Sequence, residues 1–60
     1  MAKENQQFGV GDIVIVKDCD ARAIVRNCVL DEDGFWYYEV EPVDFKSFTR
    51  EVKQSNLKMA

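Results

Sequence analysis

The segment Asp31-Glu32-Asp33-Gly34 constrains this chain more than any other. Asp-Gly supplies the positive φ that a tight turn needs, and the turn stands between two runs of near-alternating character, residues 22–30 and 35–41. The expectation is a two-stranded ribbon bent back at Gly34, whose faces depend on the number of loop residues. With Asp33 and Gly34 alone in the loop, Val29 faces Tyr38, Asn27 faces Val40, Leu30 faces Tyr37 and Arg26 faces Glu41. A four-residue loop shifts partners by two and keeps the faces, whereas a three-residue loop exchanges them. On the even reading, Trp36, Tyr38 and Val40 share a core face with Val25 and Val29. Phe35, Tyr37, Glu39 and Glu41 then lie on the other side, beside Arg26, Cys28 and Leu30.

Before the ribbon, Phe8-Gly9-Val10-Gly11-Asp12 reads as a turn. Ile13-Val14-Ile15-Val16, four β-branched residues in a row, reads as a strand with apolar contacts on both faces. Asp18-Cys19-Asp20-Ala21 is a loop. Pro42 lacks the N–H that a ladder requires, so it ends the ribbon or sits at an edge. Residues 43–52 read as a further strand anchored by Phe45, Phe48 and Val52; Ser55-Asn56 suits a single 3-10 turn before a last strand, residues 57–59. Residues 1–7 are polar and aperiodic, which predicts a disordered N-terminal tail ahead of one domain, residues 8–60. No segment keeps a 3.6-residue apolar period. The expected class is all-β, with five short strands that close on themselves to remove their edges.

Length excludes much. Sixty residues form one domain, too short for a nucleotide-binding α/β domain. A chain of this size buries only about 60% of its unfolded surface, so a second copy or a partner is expected to cover part of it. The initial Met and a domain that fills the chain suggest a small stand-alone protein. The two cysteines, with no apolar leader beside them, imply reduced thiols and a cytoplasmic setting. No run of about 18 apolar residues is available for a membrane span. Histidine is absent, which removes the commonest general base and most zinc sites. Charge is segregated along the chain. Residues 29–44 carry Asp31, Glu32, Asp33, Glu39, Glu41 and Asp44 without a base, while residues 45–60 set Lys46, Arg50, Lys53 and Lys58 against Glu51 alone. Such polarity favours self-association or a basic partner.

The series GD-I-V-I-V, A-I-V, DG-F-W-Y-Y-E-V-E and S-N-L resembles the SH3-like barrel superfamily, which includes Tudor and KOW modules, over residues 8–59. The resemblance implies a five-stranded SH3-like barrel and is nearly silent on function. Within that group, Phe8-Gly9-Val10-Gly11-Asp12-Ile13-Val14 and Tyr38-Glu39-Val40-Glu41 are similar to the plasmid-type (type II) dihydrofolate reductases. Those work as tetramers with a central pore for folate and NADPH. Their pore motif V-Q-I-Y falls here on Thr49-Arg50-Glu51-Val52 and agrees at no position; the pore lysine falls on Val16, beside Lys17. The fold is taken from this likeness and the reductase activity is not.

Each constellation has a bland reading as well as a sharp one. Phe35, Trp36, Tyr37 and Tyr38 cannot all be buried in one strand, so two rings face outward. Tudor-like barrels build cation cages from such rings; a protein-contact patch is the favoured expectation, since aromatics dominate interface cores. The D-x-D pairs Asp18/Asp20 and Asp31/Asp33 lack the spacing of a calcium loop and are read as solvated turns. Glu39 and Glu41 share a face but have no cleft in which to act as an acid pair. The expectation is therefore a non-catalytic interaction module without cofactor or metal. It binds a basic protein partner, or itself, through Leu30, Asp31, Phe35, Tyr37, Glu39 and Glu41. The alternative is a nucleic-acid surface formed by Lys46, Arg50, Lys53 and Lys58.

Overall fold

The structure is a computed structural model and describes residues 2–44, 46 and 48–60. Five strands run in chain order: β1 (Ile13–Val16), β2 (Ala21–Leu30), β3 (Trp36–Pro42), β4 (Arg50–Lys53) and β5 (Leu57–Met59), with one 3-10 turn at Gln54–Asn56. They form a single antiparallel sheet in the order β4-β3-β2-β1-β5. In a flat sheet the two outer strands would stand roughly 19 Å apart, at about 4.8 Å per strand. Yet Lys53 and Leu57 are only four residue steps apart along the chain, a reach of at most about 14 Å. The sheet must therefore curl until its two edges approach each other across the 3-10 turn. The apolar concave side is the core.

That core follows the period of two. Val14 and Val16 of β1, Ala23 and Val25 of β2, Tyr38 and Val40 of β3, Val52 and Leu57 are all buried. Phe8 closes one end, its ring edge-on to Tyr38 at 5.4 Å between centroids. Ahead of β1, Gly11 takes φ +95°, which only glycine adopts without strain. Its N–H donates to the Val25 carbonyl while Val25 N–H donates to the Asp12 carbonyl, clasping the turn to β2. Contrary to the expectation for β1, only Val14 and Val16 are fully inside; Ile13 is exposed and Ile15 half-buried. The sheet packs on one side there, so the second apolar face remains open.

The ribbon departs from the even-loop reading in an instructive way. Asp31 N–H donates to the Phe35 carbonyl and Gly34 N–H to the Asp31 carbonyl, so the loop is the three residues Glu32, Asp33 and Gly34, with Gly34 at φ +88°. Near the tip, Leu30 therefore pairs with Trp36, Val29 with Tyr37 and Cys28 with Tyr38. A bulge at Arg26 then shifts the register, and at the base Val25 pairs with Val40 and Ile24 with Glu41. The extra residue restores the faces that the odd loop exchanged. Trp36, Tyr38, Val40 and Val25 stay on the core side as expected, but Cys28 takes the core position and Val29 turns outward.

The expected strand over residues 43–52 shrinks to Arg50–Lys53. Phe48, expected as an anchor, is 93% exposed, because the ladder with β3 extends only from Val40 to Tyr37. Phe45, the other expected anchor, lies outside the described residues. Within residues 1–7, read from sequence as a disordered tail, residues 3, 4, 5 and 7 make hydrogen bonds to the hairpin loop, β3 and the 3-10 turn. Lys3 N–H donates to the Gly34 carbonyl, Trp36 N–H to Glu4 Oε2, and Gln7 N–H to Gln54 Oε1; Gln54 Nε2 donates to the Asn5 carbonyl.

Candidate functional site

Alternation on β3 places Tyr37, Glu39 and Glu41 on the convex face, away from the core. Cross-strand pairing completes their surroundings. Tyr37 sits between Val29 of β2 and Lys53 of β4; Glu39 sits between Asn27 and Glu51. Tyr37 is half-buried and Val29 is exposed, so the pair forms an apolar patch at the tip end of this face. Burial pushes the Tyr37 phenol above its ordinary value, helped by the nearby Asp33 and Asp31 carboxylates.

Glu39 directly opposite Glu51 is a like-charge cross-strand pair, which is destabilising in isolation. Asn27 Nδ2 donates to Glu39 Oε1 at 3.1 Å. Among the described residues no cation forms an ion pair with either glutamate. Arg50, adjacent to Glu51 in sequence, is paired with Asp18. Lys53 is turned aside: its Nζ lies 4.2 Å from the centroid of the Phe35 ring, with Lys3 Nζ at 6.0 Å from the same ring. Phe35 is thus half-covered by the protein's own lysines. Glu41 is held by Arg26, the bulge residue, at 2.6 Å.

Of the six expected contact residues, Phe35, Tyr37, Glu39 and Glu41 share the convex face. Leu30 does not. The three-residue loop pairs it with Trp36, on the opposite side, and Val29 takes its place beside Tyr37. Asp31 belongs to the exposed loop, where its Oδ1 accepts the Glu32 N–H. Glu51 escaped the sequence reading; the signal was its register opposite Glu39, which needs the β3–β4 pairing to be seen.

The four basic residues of the alternative surface are dispersed. Arg50 and Lys53 occupy positions of opposite parity on β4, and Lys58 lies on β5, at the other end of the strand order. Lys46 is exposed in the β3–β4 connection. Arg50 Nη2 donates to Asp18 Oδ2 at 3.1 Å; this bond, with one from Asn56, holds the Asp18 carboxyl below its ordinary value.

A second feature lies at the base of the ribbon, a cleft of about 210 Å³. Val16, Ala21, Ala23, Val40 and Pro42 make its lining largely apolar, and Cys19, Arg22, Phe48 and Arg50 complete it. Among the described residues no three His, Cys, Asp or Glu side chains gather as metal ligands, and no helix is long and apolar enough to cross a membrane. No protein-family model matches the chain, and no significant match exists among curated proteins or solved structures.

Proposed function

We propose that this chain is a non-catalytic SH3-like barrel that binds a basic protein segment on its convex face. Val29 and Tyr37 supply the apolar contact, while Glu39 and Glu51 supply the charge, with the Glu41–Arg26 pair at the rim. One observation carries the reading: two glutamates face each other across strands, and among the described residues no cation forms an ion pair with either. That arrangement costs the free protein stability, and a lysine or arginine from a partner relieves it. A tyrosine beside the charge pair is the residue type that interface cores favour. The strand order, with the last strand beside the first, supports the SH3-like assignment. Two unpaired thiols, Cys19 and Cys28, fit a reducing, cytoplasmic setting.

The test is an array of short peptides pairing Lys or Arg with apolar residues, with acidic peptides of the same apolar content as controls. Tyr37→Ala and Glu51→Lys are each expected to weaken the best basic peptides about tenfold or more, the first with little change in Tm and the second with a small rise. Failure of every basic peptide to bind, or undiminished binding by Glu51→Lys, would overturn the proposal.

A further inference from the structure

The cleft and the hairpin tip lie at opposite ends of the molecule. β2 starts at the cleft with Ala21 and ends at the tip with Leu30, and β3 returns from Trp36 at the tip to Pro42 at the cleft. Ten residues of strand extend about 33 Å, nearly the full 35 Å long axis. One copy therefore cannot place its own tip in its own cleft.

The two ends are complementary. The tip offers an exposed apolar side chain, Leu30, next to Asp31, Glu32 and Asp33, all exposed. The cleft offers an apolar floor with two arginines, Arg22 and Arg50, in its lining. At about 210 Å³ it is smaller than the roughly 300 Å³ at which small-molecule sites begin, and suits a single inserted side chain. Phe48, also in the lining, is 93% exposed and is an apolar side chain free to pack against an inserted one. Arg22 is held by Asp44 at 2.9 Å and Arg50 by Asp18 at 3.1 Å, but every partner in these pairs is about half exposed. Such surface pairs are weak and exchange readily with an incoming carboxylate.

We infer that copies of this chain associate head to tail, Leu30 of one entering the cleft of the next while Asp31 and Glu32 meet Arg22 and Arg50. In this head-to-tail arrangement the contact is heterologous and builds a ring or an open row, whereas an antiparallel pair with both tips seated reciprocally would stop at a two-fold dimer. A wild type that stops at the dimer would therefore contradict the head-to-tail arrangement. It uses surfaces separate from the convex face and stands or falls independently of the peptide-binding proposal.

Sedimentation velocity from micromolar to millimolar protein tests it. The wild-type chain is expected to grow beyond the dimer as concentration rises, less so in high salt. Leu30→Ser removes the tip, Arg50→Glu spoils the cleft, and each is expected to lower the association constant about tenfold or more. Arg22→Glu serves as a second cleft variant should Arg50→Glu lose its native circular dichroism. Mixed in equal amounts, Leu30→Ser and the cleft variant retain one intact cleft and one intact tip, so they are expected to form a single junction and stop at the dimer. Tyr37→Ala is expected to associate like the wild type. A wild-type monomer at millimolar concentration, unchanged association of Leu30→Ser, or a mixture no larger than its parts would overturn the inference.

Discussion

At the residue scale, Gln54 holds the most distant parts of the chain together. It is buried to 4% exposure, and its Oε1 accepts both the Tyr38 hydroxyl and the Gln7 N–H while its Nε2 donates to Asn5. Gln54→Leu leaves these partners unsatisfied and is expected to cost about 2–3 kcal/mol, read as a lower urea midpoint at unchanged slope. Tyr38 adds a pH dependence. Burial pushes its phenol above the ordinary value of 10.0, partly opposed by backbone hydrogen bonds from Phe8 and Gln7. A folded value above the unfolded one means that the stabilisation is complete below pH 10.0 and is lost as pH rises through the folded value. Urea midpoints across the alkaline range are expected to fall there, and Tyr38→Phe is expected to flatten that fall. A Tyr38→Phe profile as steep as the wild type would place the titration elsewhere. The burial of Tyr38 was legible from alternation; the role of Gln54 was not, since a polar residue beside Ser55 and Asn56 reads as part of a solvated turn.

At the scale of elements, the ribbon turns on two irregularities that cancel. Asp33-Gly34 announced a turn, but nothing in Asp31-Glu32-Asp33-Gly34 distinguishes two, three or four loop residues. The bulge at Arg26 was equally silent, because Arg26 and Asn27 are both polar and suit either side. Val29 and Cys28 are each apolar enough for the core, so composition could not choose between them. The structure puts Cys28 inside and Val29 outside. Val29→Ser is therefore expected to cost about 1 kcal/mol or less, whereas Val25→Ser, at a site with no exposure, is expected to cost several times more. Gly34→Ala forces a Cβ into positive φ and is expected to cost about 1–2 kcal/mol. Equilibrium unfolding of the three variants checks the order. Equal losses for Val29→Ser and Val25→Ser would restore the even-loop faces. On β4, apolar content alone suggested Phe48 as an anchor, but a ladder that begins at Arg50 leaves that ring outside.

For the whole molecule, sequence pattern was enough for the five strands, the 3-10 turn and the closure of the sheet, since each rests on local punctuation or on the rule that edges be hidden. The order of the strands in the sheet comes from the structure. The convex face was legible in part: Tyr37, Glu39 and Glu41 follow from period two along one strand. Glu51 and Val29 depend on register between strands, which no single segment encodes. The like-charge pair also bears on stability. Glu51→Lys converts Glu39/Glu51 into an opposite-charge pair and is expected to stabilise the free protein by about 0.5 kcal/mol while weakening peptide binding. The most direct measurement is a two-dimensional amide NMR titration with the tightest basic peptide from the array. Saturable shifts concentrated at Val29, Tyr37, Glu39 and Glu51 are the expected result; shifts gathered instead around Val16, Ala21 and Ala23, or none that saturate, would contradict a docking face on the convex side of the sheet.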